Sequence, residues 1–291
     1  MALVPTPAPT PVPAPAARLA AVRGTLRRRW RLIPLAVVVL AALAGPLFLP
    51  FDPERVAGPV GLAPAAPHLF GTDSAGLDVF SRTIAAARTN LLIATGTTIG
   101  ATLIGLTLGL VIGMSESGRG IRAALARGSA RVVDLVEAVP AVLAGLIVVS
   151  LYGATATTLT VAMAVILSPV QVRLVRTEVL RVRGESYLDA ARMQGMDIGT
   201  LTLRHVLPNA ARPALENTSV IFAVSVILTA ALGFIGVGLP PPTPEWGSML
   251  TRGVSDAISG RWWSGAFPAL ALAGTVVAVS TAAQAVFGRR D

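Results

Sequence analysis

Six stretches of the chain are almost free of polar residues: 32–51, 91–114, 132–151, 155–172, 215–239 and 266–287. Each approaches the roughly 20 apolar residues that carry a helix across a hydrocarbon core. The pattern predicts an all-α polytopic membrane protein with six transmembrane helices. The third stretch is joined to the fourth only around Gly153 and Ala154, which makes those two a tight helical hairpin. Pro140 and Pro169 lie inside or at the edge of apolar stretches and are expected to kink or end their helices. The interval 173–213 reads as a loop, and Leu207-Pro208-Asn209 and Pro213 should break the chain before the fifth span. In the second stretch Gly96, Gly100, Gly105, Gly109 and Gly113 put small residues on one face, for packing within the chain or against a partner subunit. Gly233, Gly236 and Gly238 loosen the end of the fifth, as a gate hinge would require.

Ahead of the first span the pattern changes. The first fifteen residues hold six prolines and no charge, and six Arg follow between 18 and 31. Such sequence cannot build a core, so 1–31 is expected to be a disordered tail. The run 32–51 reads as an uncleaved first span. Ala42-Leu43-Ala44 also has the form of a signal-cleavage site, and a cleaved signal stays open as the alternative. The segment 52–90 then precedes a core of five helices in 91–288, and 289–291 closes the chain.

Composition agrees with the pattern. Hydrophobic residues make up 53% of the 291 and charged residues 13%, where soluble domains carry roughly 25% charge. All 24 basic residues are Arg. Without Lys there is no P-loop lysine and no Schiff-base chemistry, and without Cys no disulfide or thiolate site. His68 and His205 are the only imidazoles, too few for a His-based metal cluster.

The Arg positions also orient the chain. With the N-terminus inside, six Arg precede the first span, four fall in 119–131, seven in 173–212 and two at 289 and 290. Five lie on the outer segments. Positive charge collects on the cytoplasmic side, so both termini are expected inside. The acids Asp134, Glu137 and Glu216 lie near inner helix ends, and a charge at mid-membrane, the mark of many ion-coupled carriers, is missing. Backbone carbonyls can coordinate ions as well, so an ion-coupled secondary transporter or channel remains an alternative.

Within 173–213, Tyr187, Ala191 and Gly195 share a face at a spacing of four. A short helix with so shallow a face suits a cleft in another protein, or lies solvated on the surface. Asp189-Ala190-Ala191 after Tyr187-Leu188, with Gly195 four residues on and then Leu207-Pro208, resembles the EAA signature of ABC importer permeases. Asp stands here for the leading Glu. Two outer segments narrow the likeness. Gly71-Thr72-Asp73, then Gly76, Asp78, Ser81 and Arg82, resembles the GTDxxGRDxxSR motif of dipeptide/oligopeptide/nickel-type permeases, with Leu77 in place of an Arg. The run from Pro240 through Pro241, Pro242, Pro244, Glu245, Trp246 and Gly247 to Leu250 resembles the PPxPxWGxML segment of the same subfamily. By themselves, Trp246, Trp262 and Trp263 read as bilayer-interface anchors.

The resemblance implies a type I ABC importer transmembrane domain in a bacterial inner membrane, N-in and C-in. It implies a translocation subunit without cofactor or enzymatic activity, pairing with a homologous permease, two ABC ATPases and an extracytoplasmic solute-binding protein. Tyr187, Leu188, Asp189, Ala190, Ala191, Gly195, Leu207 and Pro208 would couple to the ATPase. Gly71, Thr72, Asp73, Gly76, Asp78, Arg82, Pro241, Pro242, Pro244, Trp246 and Gly247 would form the face on which the binding protein docks. Peptides lead the substrate expectation, with nickel or another solute open. A non-transporting scaffold whose Arg-rich face holds anionic lipid is the remaining alternative.

Overall fold

The structure is a computed structural model that describes residues 30–116, 118 and 120–287, without the side chains of 189, 190 and 192. Residues 1–29 of the expected tail and the C-terminal 289–291 lie outside the described residues. Among the described residues the order is α1 (Ile33–Ala44), α2 (Val79–Glu116), α3 (Ile121–Glu137), α4 (Ala141–Tyr152) and α5 (Ala156–Arg183). Then come α6 (Ser186–Met193), α7 (Ile198–Leu201), α8 (Leu207–Ile235), α9 (Trp246–Ile258) and α10 (Trp263–Phe287).

The six apolar stretches give helices of very unequal length among the described residues. Four units are long and apolar enough to cross a membrane: α2, α5, the joined Ile198–Ile235 and α10. Helices α3 and α4 pass only as a pair, bent by 90°. Pro140 stands at that bend with an extended ψ of 123°, so it does break its helix. The first apolar run shrinks to Ile33–Leu47, the last three residues in a 3-10 turn that contains Pro46. Its length of about 24 Å falls short of a hydrocarbon core of about 30 Å.

Other helices outrun their apolar stretches. Helix α2 starts at Val79, not 91, and its 38 residues extend about 57 Å. Its added turns begin where Asp78 Oδ2 accepts from the Ser81 N–H at 2.8 Å, an N-cap. Helix α5 runs through Pro169. That proline leaves the Val165 carbonyl without its backbone donor, and Ser168 Oγ donates to it at 2.8 Å. The expected loop 173–213 is mostly helix. Leu207-Pro208 does not break the chain: a π-turn, Thr202–Val206, lets the Leu207 N–H reach the carbonyl of Thr202, and α8 continues through Pro213.

The glycine stripe of α2 settles on a partner inside the chain. A Cβ on Gly96, Gly100, Gly109 or Gly113 would come within 2.6–2.8 Å of Thr160, Ala164, Val175 and Val179 of α5, and one on Gly105 would strike Gln171. Small residues let the two backbones close along their length. Gln171 is fully buried and donates to Thr102 Oγ1 and to the Ala214 carbonyl, both at 3.1 Å, which joins α2, α5 and α8. Directions alternate through the bundle. Thus Gly45 at the end of α1 lies against Ile84 near the start of α2, while Arg183 at the end of α5 donates to the Gly113 and Met114 carbonyls near the end of α2. The bundle has one end capped by 52–78 and α9, and an opposite end rich in Arg.

Candidate functional site

At the capped end the two motif segments fold into one unit. Gly71 has φ +74°, and a Cβ there would meet the Leu62 carbonyl and Trp263 Nε1, so only glycine fits. Thr72 accepts from the Leu62 N–H at 2.8 Å and donates to the Pro59 carbonyl at 2.7 Å. Asp73 Oδ1 accepts from the Ala75 and Leu77 N–H groups, both at 2.9 Å, and shapes the turn through Gly76. Asp78 caps α2 and holds buried His68 Nδ1 at 2.9 Å. Arg82, 1% exposed, donates to the Pro53 carbonyl at 2.7 Å and the Pro242 carbonyl at 3.1 Å, linking the first motif to the second.

From the second motif, Trp246 is 1% exposed and donates to the Thr83 carbonyl at 3.0 Å. Gly247 packs so tightly on Ala230 of α8 that a side chain has no room. Pro244 is buried, whereas Pro241 and Pro242 are exposed. Most of the expected docking residues are therefore interior, and they frame the surface rather than present it. Trp246 and Trp263 are not interface anchors: both are buried, and Trp263 donates to the Thr72 carbonyl at 3.1 Å. Trp262 is 59% exposed. Leu77, where the motif has Arg, is buried.

Glu245 was not singled out by the sequence. Its carboxylate accepts from the Gly247 and Ser248 N–H groups at 2.6 and 2.8 Å, capping α9, and it is fully buried against Gly233 and Gly238. Burial pushes its pKa up to about 7 despite the two N–H bonds. Ser/Thr/Asp/Asn are the expected caps, and a Glu in this role leaves little sequence signal. Gly233 and Gly238 make room for this carboxylate, while Gly236, at φ +93°, ends α8.

At the Arg-rich end, α6 packs on the ends of α5 and α8 through Leu188. Leu188 is fully buried with Val175, Val179, Val182, Leu201 and Val206, and Ala191 packs half-buried beside them. Tyr187 is 45% exposed, with its hydroxyl accepting from Asn209 Nδ2 at 3.4 Å, and Met193 is 84% exposed. The side chains of Asp189 and Ala190 lie outside the described residues. Gly195 has φ +83°, and the Met196 N–H returns to the Ala191 carbonyl at 3.2 Å, a left-handed helix stop. Among the described residues no atom lies within 4 Å of a Cβ added there. Leu207 and Pro208 open α8 directly behind the π-turn.

Comparison with known proteins adds the family. Residues 105–290 match the model of the binding-protein-dependent transport system inner membrane component. A dipeptide transport system permease protein from Alkalihalophilus pseudofirmus is 34% identical over 72% of this chain and 66% of its own length. A di/tripeptide transport system permease protein from Pseudomonas aeruginosa is 33% identical over 86% of this chain and 82% of its own. A putative peptide permease protein from Brucella suis is 33% identical over 86% and 81%. With its membrane-length helices, the chain belongs to the binding-protein-dependent transport system inner membrane components, as a multi-pass permease of an ABC importer in the bacterial inner membrane.

Proposed function

We propose that this chain is the peptide-conducting permease subunit of an importer whose ATP hydrolysis is carried out by partner subunits, and that α6 is the element through which they act on it. The Arg-rich end is cytoplasmic, by the positive-inside rule, and the capped end faces the solute-binding protein. A homologous permease completes the pathway, and the peptide names of the relatives make di- and oligopeptides the proposed cargo.

The observation that carries this reading is the division of α6. Leu188 anchors it in the ends of α5 and α8, while Tyr187, Met193 and Gly195 stand exposed. A push on the exposed face is transmitted to spans that cross to the capped end, because α5 and α8 are packed units and not a loop. The cytoplasmic partner must supply ATP chemistry, since this chain has no Lys for a P-loop.

Met193→Cys introduces the only thiol in this chain. In the assembled complex, a short thiol cross-linker from that position should capture an ATPase subunit, with capture changing between the nucleotide-free and ATP-bound states. No capture of an ATPase subunit in either state, in a complex active in uptake, would remove α6 from the coupling role.

A further inference from the structure

At the capped end, between the last turn of α4, the turn after α8, and α9, lies a cavity of about 500 Å³. Val149, Leu239 and Pro240 form apolar wall, and Ser150, Thr251 and Arg252 supply polar groups. Its size falls within the roughly 300–1,000 Å³ of small-solute sites. Arg252 is the one formally charged residue in the lining. Its nearest acid is Asp73, whose Oδ2 forms a long ion pair with Arg252 Nη1 at 3.8 Å, beyond hydrogen-bond distance, while Asp73 Oδ1 accepts from two backbone N–H groups. Among the described residues no acceptor bonds the Arg252 guanidinium. Glu245 is directed away, with both oxygens on the N-terminus of α9.

We propose that this cavity binds a small solute through a carboxylate, paired by Arg252, with the apolar body of the solute against Val149, Leu239 and Pro240. A guanidinium presents parallel N–H donors that match a carboxylate in two bonds, and its partly apolar, partly buried setting strengthens that pairing over one in open water. For a peptide cargo the group is the C-terminal carboxylate. The cavity sits against Gly233, Gly236 and Gly238 at the end of α8, so an occupant touches the helix that also carries the α6 contact at its other end. The assignment rests on the solute-conducting reading above and names a place on the path where cargo is recognised.

The absence of Cys from the chain provides the test. In the detergent-solubilised complex without binding protein, Ser150→Cys is labelled with a maleimide in the presence of alanyl-alanine or alanyl-alanine amide. At a peptide concentration about ten times its Kd, occupancy slows labelling about tenfold. The expected result is slowing by the free peptide, none by the amide, loss of slowing in Arg252→Gln, and partial retention in Arg252→Lys. Equal slowing by the amide, or slowing that survives Arg252→Gln, would overturn carboxylate recognition. Slowing that requires added binding protein and ignores peptide would assign the surface to that protein instead. Uptake by the same complex in liposomes separates the two readings. Uptake without protection overturns the cavity alone, and a wild-type complex that imports no peptide overturns the cargo assignment together with it.

Discussion

The indole nitrogen of Trp263 donates to the carbonyl of Thr72 across 3.1 Å, tying the first residue of α10 to the centre of the Gly71-Thr72-Asp73 turn. Trp263→Phe keeps an aromatic ring there but leaves that carbonyl without the donor. A buried group so orphaned costs about 1–3 kcal/mol. The expected outcome is a lower thermal midpoint for the purified complex, with Trp262→Phe, at an exposed site, close to wild type.

The closeness of α2 and α5 makes a second prediction. Gly105→Ala places a methyl on the Gln171 backbone and side chain, and a helix pair packed along five glycines cannot widen at one point only. Gly128→Ala, in α3, meets nothing within 4 Å among the described residues and has no left-handed φ. It should stabilise by up to about 1 kcal/mol through helix propensity. Detergent-stability curves of the two variants should move in opposite directions.

Glu245 predicts a pH dependence of stability. Its folded pKa of about 7 lies above the ordinary carboxyl value of 4.5, so between those pH values the folded chain holds a proton that the unfolded chain has released. The stability present below pH 4.5 is therefore lost progressively as pH rises through 7, by at most about 3 kcal/mol. Glu245→Gln cannot titrate and should flatten this part of the profile. An unchanged slope in that variant would place the dependence on another group.

Gly195 separates conformation from size. Its φ of +83° favours glycine and tolerates Asn better than Ala or Val. If the helix stop is what matters, substitutions rank Asn above Ala above Val in ATP-driven uptake. If the need is a flat surface against the ATPase, Ala ranks first because it is smallest.

Much of the bundle was legible in the sequence because lipid demands apolar residues all round a span. The ends were not. Residues 79–90 contain Arg82, Thr83 and Asn90, polar side chains that are buried under the cap, so hydropathy falls while the helix continues. Arg176 pairs with Glu116 at 2.6 and 2.7 Å, and similar Arg–Glu pairs hide the last turns of α5. Pro169 and Pro208 look like breakers, yet a serine hydroxyl and a π-turn accommodate them locally. Partners were the least visible part: Trp246 bonds a residue 163 positions away and Trp263 one 191 away, distances over which periodicity carries no information. The glycine face was visible, but its occupant, α5, was not.

The most direct measurement uses Met193, which is 84% exposed and lies on the outward side of α6. Met193→Glu touches no core of this chain, so the fold of the permease itself should change by no more than about 0.5 kcal/mol. In liposomes containing the whole importer, with binding protein and peptide supplied, the account predicts loss of ATP-driven uptake and of peptide-stimulated ATP hydrolysis, with the level of the permease in the membrane unchanged. Wild-type uptake and stimulation in Met193→Glu would contradict it.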